Sequence, residues 1–301
     1  MKNIGEIYGL ITALFWMITS LAFEIASKKF GSLTVNFVRL FLAFILLSIF
    51  GYFTRGLFFP TDATLHNWLW LALSGIIGFV IGDFMLFKAF SIMGARVSQV
   101  IMALAPPIAA LVGWLVLGEK LSLQAIAGMT ITISGIMLVV VKKDTEHNKT
   151  NSFKFGFPLV GILFAFGGAV GQGVGLVVSK LGMQNYNAFA ASQIRVLTGV
   201  VGFFFIILFQ NKWFMLKQTL PIRKESIALL IGTIFGPFLG VAFSLLTVQH
   251  TSSGIAQTLI SIVPVIIIPF SHLFFKEKIS VKEIIGAFVA FGGISLFFIE
   301  L

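Results

Sequence analysis

Ten runs of roughly 20 apolar residues, parted by short polar turns, take up most of the chain. They lie near 7–27, 33–53, 67–89, 96–117, 122–141, 155–178, 188–209, 226–248, 254–275 and 280–299. A bilayer core is crossed by a helix of about 20 such residues, whose backbone polar groups are all satisfied internally. Only 11% of the residues are charged and 58% are hydrophobic, whereas an average soluble domain is about 25% charged. The expected fold class is therefore an all-α integral membrane protein with ten transmembrane helices. The first run follows Lys2 as a signal peptide would, but it is long enough to span and has nine similar successors, so it reads as an uncleaved span.

The net charge of +10 invites a nucleic-acid reading, which requires basic residues gathered on one folded polar surface. Here they sit between apolar runs, where they set orientation and meet anionic headgroups. No Cys is present, which excludes disulfides, thiolate metal sites and cysteine nucleophiles. His66, His147, His250 and His272 are scattered without ligand spacing, and no phosphate-cradling Gly-Lys-Ser/Thr loop occurs. The sequence thus calls for no metal or other cofactor and no ATP hydrolysis, and the expectation is that the chain is not an enzyme.

The halves of the chain resemble each other. A shift of 158 residues superimposes Gln99 on Gln257, Pro106 on Pro264, Glu119 on Glu277, Gly128 on Gly286 and Gly135 on Gly293, and a shift of 156 pairs Arg39 with Arg195. The expected organisation is a first repeat at 1–141, a polar linker at 142–154 and a second repeat at 155–301. Five spans per repeat is an odd number, so the second copy enters from the opposite side. Two five-helix inverted-topology repeats give two nearly equivalent conformations, one open to each side, as alternating access requires.

Residues 82–136, GDFMLFKAFSIMGARVSQVIMALAPPIAALVGWLVLGEKLSLQAIAGMTITISGI, resemble the EamA family of the drug/metabolite transporter (DMT) superfamily, and 240–294 form a weaker echo. The features are Gly82-Asp83, Gly94-Ala95, Pro106, Gly118-Glu119-Lys120, Gly128 and Gly135, with Arg39 and Arg195 as the basic residue of the second span in each repeat. The resemblance implies a central cavity lined mainly by spans 1, 3, 4, 6, 8 and 9, and efflux or exchange of amino acids, related metabolites or drugs. The second copy departs from the pattern: Val241 stands where Asp83 would repeat, Leu246 where Lys88 would and Lys276 where Gly118 would.

An ionisable residue inside a span needs a partner or a wet cavity. Asp83 is a candidate for binding a cationic group or for proton coupling, or is an ion-pair partner of Arg39 or Arg195. Glu24 is a second coupling candidate and also sits four residues before Lys28 as an interfacial pair. Arg39 and Arg195 are suited to holding a substrate carboxylate, snorkelling, or clamping helix ends. Gln99, Gln257, Gln172, Trp16 and Lys88 are candidate cavity residues. Pro106 and Pro264 each lie seven residues beyond a Gln, where a proline removes a backbone hydrogen bond and forms a kink or hinge.

The function expected is secondary transport of a small-molecule substrate, an amino acid or drug-like solute, within membrane lipids of the cell (plasma or inner) membrane. Protons or counter-substrate drive it, no nucleic acid takes part, and the unit is a monomer or homodimer. The alternatives are an integral membrane enzyme and a non-transporting scaffold or sensor. Lys2, Arg55, Lys120 and Lys180 fall on the N-terminal side and about 15 basic residues opposite. The positive-inside rule then places the termini outside the cytoplasm, whereas the family resemblance places them inside.

Overall fold

The computed structural model describes residues 4–118, 123–143, 153–155, 157–219, 221–250, 256, 259–276 and 280–296. The first apolar run forms α1 (Ile4–Phe30). It stops at Gly31, whose φ of 78° is a left-handed value that a side chain opposes. The second run forms α2 (Ser32–Arg55), closed by Gly56 in the left-handed conformation with its N–H donating to the Tyr52 carbonyl. The third run begins at a capping box in which Thr64 and Asn67 satisfy each other's backbone N–H. It runs as α3 (Leu65–Gly75), a π-helical stretch Ile76–Asp83 and α4 (Phe84–Met93). The fourth is broken into α5 (Ala95–Met102) and α6 (Ala105–Leu117), and α7 (Leu123–Val140) ends the first copy.

A short antiparallel ribbon, β1 (Val141–Lys143) against β2 (Phe153–Phe155), brackets the expected linker. The second copy follows with α8 (Leu159–Met183), α9 (Ala188–Phe209), α10 (Lys224–Thr233), a π-helical stretch Ile234–Gly240, and α11 (Val241–His250). Then come α12 (Val263–Phe275) and α13 (Val281–Leu296). Among the described residues, seven helical runs are long and apolar enough to cross a bilayer. The three remaining expected spans correspond to the shorter apolar helices α7, α12 and α13.

Polarity is distributed for lipid. Phe53, Leu65, Leu115 and Phe209 are exposed, while Thr12, Asn36, Arg39, Ser74 and Asp83 are buried. Lipid tails are as apolar as leucine, so burial of apolar surface does little to drive helices together, and close packing and interhelical hydrogen bonds take over. Ser74 accordingly donates to the Gly175 carbonyl at 2.6 Å, and Asn67 to the Gly182 carbonyl at 2.7 Å.

The repeat is visible residue by residue. The π-helical stretches start 158 residues apart, at Ile76 and Ile234, and the 158-residue shift carries the start of α6 onto the start of α12. The left-handed residue ending α6 is Gly118, and the one ending α12 is Lys276 with φ 52°. Pro106 and Pro264 do not kink continuous helices, as the sequence reading expected. They lie in the first turn of α6 and α12, where the missing N–H has no intrahelical partner to lose.

The packing of α7 on α13 fixes how the copies are related. A Cβ at Gly135 would meet Ala290 N at 2.4 Å and the Gly286 carbonyl at 2.7 Å, and one at the matching Gly293 would meet Thr132 N at 2.5 Å and the Gly128 carbonyl at 2.8 Å. Each glycine thus faces the preceding turns of the other helix. In a parallel pair an offset in one direction must reverse in the other, so this reciprocal contact requires antiparallel helices. The two-fold relating the copies therefore runs across the helix axes, which is the inverted topology.

Two loops tie the copies together at one face. Asp62, after α2, pairs with Arg55 and accepts from the Tyr186 hydroxyl at 2.9 Å, and Tyr186 follows α8. Partial burial, and then the carboxylate beside it, push the Tyr186 phenol up to about 12.

Glycine at 135 leaves no room for a side chain, and Gly292 has nothing within 4 Å of a would-be Cβ. Gly135→Val is expected to destabilise the fold by about 1–3 kcal/mol through overpacking, whereas Gly292→Val leaves it near wild type. Thermal unfolding of both variants in detergent checks this, and equal midpoints would refute the packing argument.

Candidate functional site

The third run turns π-helical where Gly78 and Gly82 sit in it. Gly82 lies against Gly171 of α8 so closely that a Cβ at Gly171 would be 2.4 Å from the Gly82 Cα. That approach seats Gln172 beside Asp83, the last residue of the π-helical stretch. Asp83 is buried, with one carboxylate oxygen accepting from Gln172 Nε2 at 2.5 Å and the other from Arg39 at 2.5 Å. Arg39 also donates from Nε and from an Nη to Asn36 Oδ1, at 3.0 and 2.8 Å. Its guanidinium lies 5.4, 5.8 and 4.6 Å from the ring centres of Phe23, Phe79 and Phe87. Aromatic faces stabilise a desolvated cation by about 2 kcal/mol, which complements the carboxylate.

Arg195, the counterpart of Arg39 in the second copy, lies 5.0 Å from the other arginine's neighbour, the Phe79 ring. It is 4% exposed, and its Nε has no hydrogen-bond partner. Among the described residues it forms no ion pair. Two guanidiniums therefore share one carboxylate, and the carboxylate is bonded to the first.

These groups border a cavity of about 100 Å³ between the two copies. At about 10–15 Å³ per water-sized group, it holds a solute of roughly seven to ten heavy atoms. Its polar side chains include Asp83, Gln99, Gln172 and Arg195, and its apolar wall includes Trp16, Phe79, Phe87 and Phe90. The second copy adds Val241, Ser244, Ser261 and Pro264. The lining thus draws on expected spans 1, 3, 4, 6, 8 and 9, together with Arg195 from α9.

Gln99 donates to Ser20 Oγ at 2.6 Å, and Ser20 donates to the Trp16 carbonyl at 2.7 Å, so α5 is pinned to α1 at the cavity wall. A second cluster closes the end of the bundle where α5 begins. Glu24 accepts from the Ala95 N–H at 2.7 Å and from Lys28 at 2.5 Å, while Arg96 pairs with Glu283 of α13. A carboxylate on the first N–H of a helix satisfies an orphan donor and opposes the positive end of the helix dipole.

The structure gathers Asp83, Gln99, Gln172, Trp16 and Arg195 at the cavity, with Arg39 directly behind. It does not bring Lys88 or Glu24 there: Lys88 is exposed on α4, off the cavity wall, and Glu24 is a buried helix cap. Nor do Arg39 and Arg195 snorkel, because each is held in the interior, Arg39 by Asp83 and Asn36. Pro264 lines the cavity and Pro106 is buried beside it. Gln257 lies outside the described residues. Sequence reasoning missed Asn36 and Ser20. Each carried a signal in its spacing, three residues before Arg39 and four after Trp16 on one helix face.

A family model described as the EamA-like transporter family matches residues 3–141 and 159–299. No curated protein matches. A solved structure titled only as the crystal structure of a protein shares 18% identity, covers 97% of this chain and 95% of its own, and superimposes with a TM-score of 0.65, a likeness in fold alone.

Removing one partner of a buried ion pair strands the other charge, at a cost of about 3–5 kcal/mol. Asp83→Leu and Arg39→Met are each expected to lose about that much stability, and the double variant less than the two losses added. A double-mutant cycle of unfolding in micelles measures it, and strict additivity would show that the pair is not coupled.

Proposed function

The chain belongs to the EamA-like transporter family, and from that membership we propose that it is a secondary transporter moving a small metabolite, such as an amino acid or drug-like solute, by alternating access. The cavity between the copies carries this reading. It has polar side chains inside an otherwise apolar membrane bundle, and both copies line it. A site shared by two inverted copies can be opened to either aqueous phase when one copy rocks against the other. The proposed arrangement is ten spans in the plasma or inner membrane, working in export or exchange.

The polar cluster of Glu24, Lys28, Ala95, Arg96 and Glu283 supports a closed face. It joins the end of α1 to the starts of α5 and α13. With ten spans those three ends lie on one side of the membrane, so cross-linking them seals the cavity there. The broken helices on either copy supply the flexible points: at the paired breaks before α6 and α12, beside the cavity, the α-helical ladder gives way to turns closed by shorter-range bonds, Leu104 N–H to the Ile101 carbonyl and Ile262 N–H to the Leu259 carbonyl. Asp83 is bonded on both oxygens and its charge answers Arg39. That arrangement favours exchange or facilitated movement over a proton cycle through this carboxylate.

The test is solute counterflow in proteoliposomes over a panel of amino acids and small organic ions. Saturable flux is expected for at least one class. Ser244→Trp, which fills the cavity from the second copy, is expected to lower that flux at least about tenfold, with the protein still folded. Unchanged flux in a folded Ser244→Trp protein would mean that solute does not pass through this cavity.

A further inference from the structure

We infer that the cavity binds a carboxylate-bearing solute with a small apolar body, and that Arg195 receives the carboxylate. This rests on the transporter reading and names its substrate class.

The argument begins with the broken symmetry of the repeats. Arg39 and Arg195 occupy matching places, but Asp83 has Val241 as its counterpart. The first copy therefore carries its own anion for its arginine, and the second carries none. Arg195 is 4% exposed, lines the cavity, and keeps an Nε with no hydrogen-bond partner. The Phe79 face takes up part of its charge. Asp83 accepts from Arg39 and Gln172 and, among the described residues, makes no hydrogen bond to Arg195, so it acts on that arginine only through space. With Arg39, Arg195 and Asp83 charged, the cavity region carries one net positive charge in a low-dielectric surround.

A guanidinium in such a place discriminates by charge and by shape. It repels a cationic solute outright, and it receives a carboxylate through two parallel N–H donors. Val241, the residue that stands where an anion would, is itself in the cavity wall, so the position that Asp83 fills in the first copy is occupied by an uncharged side chain beside the cavity in the second. Trp16, Phe87, Phe90 and Met102 give the wall an apolar part that suits a hydrocarbon body. A zwitterion is also accommodated, since the Ser244 and Ser261 hydroxyls can accept from an ammonium.

Three probes with one branched body separate the head groups: isovalerate, L-leucine and isoamylamine, titrated by calorimetry into the full chain in uncharged detergent. Isovalerate and L-leucine are expected to bind and isoamylamine not. Arg195→Gln is expected to weaken carboxylate binding by about ten- to a hundredfold. Val241→Asp restores the first copy's arrangement in the second and is expected to cause a similar loss while the protein stays folded, because Arg195 then has an internal partner. Binding of isoamylamine as tight as isovalerate overturns the inference, as does the failure of either carboxylate to bind, or undiminished affinity in Arg195→Gln. If Arg195→Gln does not fold, Val241→Asp and the head-group selectivity of the unaltered chain decide. The two readings fail separately. Flux of amines without carboxylate binding sinks the carboxylate site and leaves transport, whereas carboxylate binding without flux does the reverse.

Discussion

A carboxylate and two guanidiniums, buried together among lipid-facing helices, constrain this molecule more than any other feature. A single charge near the bilayer centre costs at least about 2.5–3.5 kcal/mol, so every element around Asp83 has to be placed for its sake. Gly82 and Gly171 carry no Cβ, which lets α8 approach and deliver Gln172. Asn36 sits one turn before Arg39 and turns its carbonyl oxygen to the guanidinium and its amide nitrogen to the Ser32 and Asp83 backbone carbonyls. Phe23, Phe79 and Phe87 enclose the cation's faces. The wide turns of the π-helical stretch end at Asp83 itself. Such stretches are uncommon and concentrate at functional sites, and here the stretch sets the carboxylate's position relative to both α2 and α8.

The duplication explains why the site has this form. Inverted copies give two of everything near the axis: two arginines, two π-helical stretches, two broken helices. Gly135 and Gly293 are kept for an architectural reason, since they let α7 and α13 meet backbone to backbone. Of the departures, one falls on the cavity and another on a helix end. Val241 in place of Asp83 removes an anion, and Lys276 in place of Gly118 puts a side chain at a left-handed position. The first change bears directly on what the cavity can hold. The second is tolerable because a single left-handed residue at a helix end costs on the order of 1–2 kcal/mol.

Much of this was legible in the sequence because the constraints are periodic or repeated. The apolar runs gave the helices, the 158-residue shift gave the copies, and the odd number of spans in each gave the inversion. Asp83 and the two arginines stood out since charges inside apolar runs are costly. The sequence was less informative about partners. Nothing in spacing distinguishes an arginine that snorkels from one that turns inward, since that depends on whether a carboxylate from another helix is at the same depth. The prolines misled for a related reason: a proline within an apolar run of span length reads as a kink, but in these runs the helix stops and restarts just before it. The pair of Glu24 with Lys28 follows from their spacing and is present, but nothing in that spacing shows that the second oxygen of Glu24 caps α5, 71 residues away.

The two polar centres stand at different depths, and their strengths suit different tasks. In the Glu24 and Arg96 cluster Lys28 is 48% exposed, so solvent screens its pair with Glu24 and the contribution of that pair falls to about 0–1 kcal/mol. A contact of that size can open and re-form during each cycle. Asp83 and Arg39 are almost wholly buried, and parting them would leave two unpaired charges in the bundle. The inner pair therefore serves as fixed framework, and within the outer cluster the Lys28 contact is the weak one, while Arg96 and Glu283 are largely buried. A ligand at Arg195 that neutralises the remaining charge lowers the cost of closing water away from the cavity. On the proposed cycle its binding energy would be larger in the closed arrangement than in an open one, and a difference between states is what a solute must supply to bias such an equilibrium.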